Sequence, residues 1–390
     1  MANNIILFDP AEERDNLLPL TFTRPVAEIR IGINTIRRKW EIAFPGNYSY
    51  KTQDYLAAKY PLKEENTIED FYIAGNVCPS PELINALSSL QPGTAITCNG
   101  TEIARRGKKA ENSIALDGAA PLIIKTLPDI FMLNDRALID DFKALTGGRN
   151  SLPVSDTCTV IGDTTFPDGT PKLFLEPGAK AEGVIFNLNH GPVYIGRDAE
   201  IMEGTCVRGP LALCDHSFIN MGSKIYGATT IGPYCKVGGE INNVVITGYS
   251  NKAHDGFLGN AVIGEWCNLG ANCVSSNLKN DYSEIRLWNY PSRRFIHTGL
   301  QFCGLIMGDH TKAGINTMFN TATVAGVGCN IHGAGFPRTY IPSFSIGGAA
   351  GFSDLPLSKF FDTARRVMAR RHVELTQADI DILTHLYETR

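Results

Sequence analysis

At 390 residues the chain is long for one domain, which predicts two or three compact units. Its 36 basic and 40 acidic side chains leave a formal charge of −4, so no global field would gather nucleic acid or an anionic membrane, and neither is an expected partner. Ten cysteines without a C-x-x-C pair read as reduced thiols, and the opening residues lack the basic-then-apolar pattern of an export signal, so a cytoplasmic location is expected and membrane insertion is not.

Residues 1–150 alternate strand and helix patterns. Asn4–Phe8 reads as a strand, Ile29–Trp40 as a basic-faced helix, Tyr72–Ala74 as a strand, and Pro81–Leu90 as a helix capped by Ser80. That alternation predicts an α/β domain with a mostly parallel sheet, ending at the Gly147-Gly148 turn cluster.

A different period takes over from about residue 155. Ile195, Ile201, Val207, Leu213, Ile219, Ile225, Ile231 and Val237 recur every sixth residue. Four residues after each stands Ala199, Thr205, Leu211, Ser217, Ser223, Thr229, Cys235 or Ile241, most of them small. A period of six fits no 3.6-residue helix, but it suits short strands joined by turns, three to a coil, with each aliphatic pointing inward. One coil cannot hide its own apolar face, so stability must come from stacking. The pattern starts near Val160, returns at Ile263 and Leu269, and is traceable from Ile306 through Met318 and Val324. The intervening stretches 239–260 and 275–303 are expected to be projecting loops, the usual seat of function. Beyond the stack, Leu357–Arg371 and the stretch from the cap Thr376 to Leu386 predict two helices, most simply a cap on the exposed end of the coils. The expected domains are therefore 1–150, 151–348 and 349–390.

Residues Ser250-Asn-Lys-Ala-His-Asp-Gly-Phe-Leu-Gly-Asn-Ala-Val-Ile-Gly-Glu-Trp-Cys-Asn-Leu-Gly-Ala271, with Ser276-Asn277 beyond, resemble the acetyltransferase half of the bifunctional N-acetylglucosamine-1-phosphate uridylyltransferase/glucosamine-1-phosphate acetyltransferase family. Leu17-Leu-Pro-Leu-Thr-Phe-Thr-Arg-Pro25 and Gly308-Asp-His-Thr-Lys-Ala-Gly-Ile-Asn316 are similar to a branch of that family with a shortened nucleotidyltransferase domain. The resemblance implies a left-handed parallel β-helix of hexapeptide repeats, homotrimers with sites at subunit seams, and acetyl transfer from acetyl-CoA to a glucosamine-1-phosphate-like sugar phosphate. It also implies nucleotidyl transfer from UTP or another nucleoside triphosphate, with Mg²⁺ if that half is active.

Acetylating an amine needs a base, a thioester pocket and donors for the developing oxyanion. His254 is the candidate base, since an imidazole titrates near neutrality, and Asp255 beside it is a candidate to orient the ring. By resemblance, Asn268 and Asn277 bind the sugar or polarise the carbonyl, and Lys252, Glu240 and Phe257 complete the substrate site. Phe257 stands where the family has tyrosine, and Asn242 where a phosphate-binding lysine is expected. Lys279, Arg286 and Lys312 are substitute cations, and His310 with Lys312 an alternative pair for substrate contact. In the first domain no Gly-rich phosphate loop is visible, leaving Arg14, Arg24 and Arg30 as family-like cations for a nucleotide, with Asn76 a further candidate contact. Asn76 occupies the position of a metal-binding aspartate, and a neutral amide is a poor Mg²⁺ anchor. The spacing of these residues shows no clear metal ligand set. Two other readings stay open: a zinc-dependent hydratase drawing on His190, His216, His254, His297, His310 and His332, and a sugar-nucleotide-sensing or scaffolding trimer without turnover.

Overall fold

The computed structural model describes residues 3–64 and 68–390. Two compact units divide them: the residues up to Arg30 with Asn34–Leu127 and Gln377–His385, and Ile31–Ile33 with Pro128–Thr376 and Leu386–Arg390.

In the first unit β1 (Asn3–Phe8) leads to a short helix α1 (Ala11–Asn16), α2 (Ile36–Ala43), β2 (Gly46–Lys51), β3 (Phe71–Ala74) and α3 (Pro81–Ser89). Strands β4 (Thr94–Cys98), β5 (Thr101–Arg106) and β6 (Asn112–Ala115) complete a six-stranded sheet in the order β2-β1-β3-β5-β4-β6. Strand β1 runs parallel to β2 and β3, and β4 parallel to β6, while β5 is antiparallel to both β3 and β4, so the sheet is mixed with three of its five pairings parallel. Helix α3 keeps its expected cap: Ser80 accepts from the Leu83 amide at 3.2 Å. The helix expected over Ile29–Trp40 begins only at Ile36, where Thr35 accepts from the Arg38 amide. The cause is side-chain capture. Gly32 adopts φ +70, and the Gly32 and Ile33 amides donate to Asn134 Oδ1 (2.7 Å) and Asp141 Oδ2 (2.8 Å) in the second unit, to which Ile31–Ile33 belong.

The second unit is a left-handed parallel β-helix. On one face Ile185–Asn187, Cys206–Arg208 and Lys224–Tyr226 stack in register, continued by the first thirds of Glu240–Gly248 and Phe257–Glu265. A second face stacks Leu173–Leu175, Val193–Ile195, Leu211–Leu213 and Thr229–Ile231. The third runs from Lys180–Ala181 through Lys236–Val237, Asn251–Lys252, Asn268–Leu269 and Lys312–Ala313 to Ser345–Gly348. All eight aliphatics of the period-six ladder are buried in one core, which burying about 25 cal/mol per Å² of apolar surface makes the main source of stability. The small second positions are buried as well, and where they are polar they serve the backbone. Ser217 Oγ accepts from Cys235 N (3.0 Å) and donates to the Gly232 carbonyl (2.7 Å), and Ser250 Oγ repeats this with Cys267 N and the Gly264 carbonyl, both at 2.8 Å. Interior carbonyls and amides that would otherwise lose water thus keep partners.

The stretch 239–260 is not a projecting loop. Val237 pairs with Lys252 and Asn251 with Asn268, so these coils are three residues and one residue short of the eighteen that separate Val193 from Leu211. The missing residues come out of a turn, and Glu240–Gly248 and Phe257–Glu265 run as continuous nine-residue strands around a corner. By contrast 275–303 is an insertion, since Asn268 pairs with Lys312, and it carries an antiparallel hairpin of Arg286–Asn289 and Arg294–His297. Trp288 fixes it to the coils by stacking on Tyr340 with centroids 3.9 Å apart.

Helices α4 (Asp129–Met132) and α5 (Asn134–Thr146) cluster with the coils. Asn134, at the start of α5, is fully buried and donates to the Ala228 carbonyl (2.9 Å), while Leu138 and Phe142 join Phe174, Tyr194 and Ala212 in an apolar cluster on the second face. At the other end Gly351–Asp354 turns back antiparallel on Ser345–Gly348 and closes the third face. Helix α6 (Leu357–Ala369) therefore lies along the flank rather than capping the end: Phe360 meets the rings of His310 and Phe344 at 5.6 and 5.1 Å, and Arg371 donates to Asn251 Oδ1 at 3.3 Å. Helix α7 (Gln377–Thr389) follows, its bounds close to those read from the sequence. Among the described residues no helix is long and apolar enough to cross a membrane.

Candidate functional site

Most sequence candidates of the β-helix are strung along the first face, between the corner at residues 254–256 that precedes it and the corner at Asn260 that follows it. Residues 254–256 turn the chain from the third face, after Asn251–Lys252, onto the first face at Phe257. His254 and Asp255 are exposed there. The corner is tight because its neighbours are glycines: a Cβ on Gly256 (φ +120) would meet the Cys273 carbonyl at 2.1 Å, and one on Gly239 in the coil before would meet Asp255 Cα at 2.9 Å.

Glu240 and Phe257 are register partners on the first face, with Lys224 on the other side of Glu240. Glu240 Oε1 accepts from the Tyr226 hydroxyl at 2.5 Å, and burial, followed by the carboxylate, pushes that phenol up to about 12. Asn277 lies beyond Phe257 on the same face and donates to Asn260 Oδ1 at 2.8 Å. Gly259 makes room for both: a Cβ there would sit 2.6 Å from Phe257 Cζ and 2.7 Å from Asn277 Nδ2. The fold therefore brings Glu240, Phe257 and Asn277 onto one face with His254 at its edge. Asn268 is exposed on the third face, between Asn251 and Lys312 in register, across the His254 corner.

Lys252 departs from its expected role as a substrate ligand. It pairs with Val237, a rung of the internal ladder, and so points into the coil, only 1% exposed. Its ammonium donates to the carbonyls of Gly238 (3.1 Å), Asp255 (2.9 Å) and His254. Burial lowers its pKa to about 8. Lys252 thus holds the His254 corner from inside, out of a substrate's reach. Lys312 is committed in the same way, to the carbonyls of Trp266 (2.6 Å) and His310 (2.7 Å), and burial lowers it to about 8 as well. A signal for the inward Lys252 was available in the ladder register, but only with the shortened coils recognised, whereas Lys312 stands on the outward register beside Asn268.

In the first unit the carboxyl ends of β1 and β3 form a topological switch point, the usual crevice for a ligand in such sheets. Asp9, which sequence reasoning did not single out, anchors it. Its carboxylate accepts from the Val26 amide (2.8 Å) and the Thr52 hydroxyl (2.5 Å), and burial raises its pKa against those bonds. Arg14 is buried and spent on structure, with Nη1 on Asp15 (2.7 Å) and Nη2 on the Tyr55 hydroxyl (2.8 Å), so it is a strut rather than a phosphate ligand. Arg24 is buried two residues before the Val26 amide. Asn76 is buried: its carboxamide Nδ2 donates to the Ile124 carbonyl, and its main-chain carbonyl accepts from the Ile124 amide, both at 2.9 Å. The Nδ2 bond ties the donor end of the side chain to the fold rather than to a nucleotide. Nor does Asn76 fit Mg²⁺, which wants several oxygen ligands, and among the described residues no group of three or more His, Cys, Asp or Glu side chains could hold a metal ion.

Residues 5–150 match the family described as sugar nucleotidyl transferase. The bifunctional protein GlmU of Methanocaldococcus jannaschii is 31% identical over 90 residues, 23% of this chain and 21% of that protein. The bifunctional sugar-1-phosphate nucleotidylyltransferase/acetyltransferase of Sulfurisphaera tokodaii is 31% identical over 128 residues, 32% of this chain and 31% of that one. The bifunctional protein GlmU of Synechococcus elongatus is 24% identical over 221 residues, 52% of this chain and 44% of that one. The chain thus spans less than half the length of these curated relatives. Residues 5–150 are similar to sugar nucleotidyl transferases, and the chain is similar, at low identity, to bifunctional sugar-1-phosphate nucleotidylyltransferase/acetyltransferase proteins.

Proposed function

We propose that this chain is a transferase that moves the acetyl group of acetyl-CoA onto the amine of a sugar phosphate resembling glucosamine-1-phosphate. The observation that carries the reading is the exposed His254 corner at the edge of the face that holds Glu240, Phe257 and Asn277, in a chain similar to a protein named for nucleotidyl and acetyl transfer. In the proposed step the sugar amine attacks the thioester carbonyl while the His254 imidazole takes the amine's proton. The carbon–sulfur bond then breaks, and the proton passes to the departing CoA thiolate. The carboxamides of Asn268 and Asn277 are offered to the sugar and the developing oxyanion, and a single such donor is worth about 3 kcal/mol in comparable sites. Asn268 stands on a different face from Phe257, and we assign the completed site to a seam between copies of a homotrimer.

The test is an assay of purified protein, in which free CoA thiol should be released from acetyl-CoA only when an amino-sugar phosphate is present, with the acetyl group gained by the sugar. Release that ignores the sugar, or none with any amino-sugar phosphate, contradicts the proposal.

The first unit carries a second reading, that it binds a nucleoside triphosphate or sugar nucleotide at the Asp9 crevice without transferring it. The buried Asn76 favours binding over Mg²⁺-dependent transfer. Equilibrium dialysis with UTP and a uridylyltransferase assay separate the two: binding with turnover refutes this second reading.

A further inference from the structure

Three asparagines, Asn243, Asn260 and Asn277, occupy consecutive coils at one corner, with Asn242 and Val244 in register with Gly259 and Ala261. Asn243 and Asn260 adopt φ 55 and 46, a conformation asparagine tolerates better than most residues. Their carboxamides touch in series, and the start of the series fixes its direction. The Asn243 carboxamide lies against two backbone carbonyls, Phe131 at 3.0 Å and Ala228 at 3.2 Å. Carbonyls only accept, so the Asn243 NH₂ must face them and its oxygen must face Asn260, accepting from Asn260 Nδ2 at 3.0 Å. Asn260 Oδ1 in turn accepts from Asn277 Nδ2 at 2.8 Å. The main chain holds the last two members as well: Cys303 N donates to the Asn277 carbonyl (2.9 Å) and Gly304 N to the Asn260 carbonyl (2.8 Å).

An amide can present either end to a ligand. Here each link leaves the next residue one orientation, so Asn277 spends an N–H inward and turns its carboxamide oxygen into the end of the chain. We propose that Asn243 and Asn260 are positioning residues that set Asn277 as a hydrogen-bond acceptor for the N–H of an amino sugar. This rests on the acyl-transfer reading. A neutral attacking amine has two N–H bonds, one given up to the base and one that needs an acceptor while the nitrogen lone pair stays on the thioester carbon. A fixed acceptor suits that geometry, and bonds in series strengthen one another in a low-dielectric setting.

The test uses the full chain with acetyl-CoA and glucosamine-1-phosphate, and compares wild type with Asn260→Asp and Asn243→Ser. A carboxylate at 260 can only accept, so it holds the Asn277 N–H inward as Asn260 does, whereas a serine at 243 is too short to link the carbonyls to Asn260 and frees the Asn260 amide to turn. Asn243→Ser is expected to raise the KM for the sugar about tenfold, the worth of one oriented hydrogen bond, with the KM for acetyl-CoA unchanged, while Asn260→Asp keeps the wild-type sugar KM. A purely structural role would raise both KM values together. Wild-type turnover with an unchanged sugar KM in folded Asn243→Ser, or a raised one in folded Asn260→Asp, overturns the ladder alone. Absence of wild-type turnover overturns the ladder together with the acyl-transfer reading.

Discussion

Replacing Lys252 by methionine removes a charge that the fold buries at a cost. The ammonium pKa falls from its ordinary 10.5 to about 8, chiefly through burial. At 1.36 kcal/mol per unit the difference comes to about 3 kcal/mol. Below about pH 8 the amine is charged in both folded and unfolded chains, and the folded state bears the whole cost. Between about pH 8 and 10.5 the folded amine has given up its proton while the unfolded one keeps it, so unfolding takes up a proton and stability rises with pH. Lys312 adds a similar rise, which is common to wild type and variant and cancels in their difference. Urea unfolding followed by tryptophan emission in a Trp40→Phe background, which leaves Trp266 and Trp288 in the second unit, gives that difference at each pH. The stability of wild type relative to Lys252→Met should climb by up to about 3 kcal/mol across the window. A flat difference would refute the inward placement of the ammonium.

Other expectations follow from single contacts. Gly259→Ala should weaken sugar binding and cost about 1–3 kcal/mol, because its Cβ would lie within 2.7 Å of both Phe257 and Asn277; unchanged sugar KM and unfolding midpoint argue against that crowding. Ser250→Ala should destabilise the second unit by about 1–3 kcal/mol in urea, since it leaves the Gly264 carbonyl and Cys267 amide unpaired inside the coil. Asn76→Ala should cost a similar amount in the first unit while thiol release keeps its wild-type rate, and a variant of full stability would return Asn76 to the list of ligand contacts.

The coil unit was legible where its period held. From Ile195 to Val237 the spacing alone named the buried residues, because an eighteen-residue coil repeats each inward position without drift. Legibility stopped at the next coil. There the repeat shortens, Lys252 lands on the rung after Val237, and a lysine at an apolar position reads as a loop residue reaching for substrate. Which way a side chain points depends on register, and register is set by pairing with the preceding coil rather than by local sequence. The same holds for Ile29–Trp40, whose helical spacing is genuine from Ile36 but is overridden before it by hydrogen bonds to Asn134 and Asp141, about a hundred residues away. The His254 corner, Glu240, Phe257 and Asn277 were found from resemblance, while the supporting Asn243 and Asn260 gave no signal beyond residues common at turns. In the first unit Asp9 was hidden because its partners, Val26 and Thr52, come from separate segments.

If His254 is the base for acyl transfer, its loss must show in the initial rate of thiol release from acetyl-CoA with glucosamine-1-phosphate, compared between wild type and His254→Ala at saturating substrates. The variant is expected to keep its thermal midpoint and to lose about 10²- to 10⁴-fold in kcat, the usual share of a positioned base. A folded His254→Ala protein that releases thiol at the wild-type rate would contradict that role.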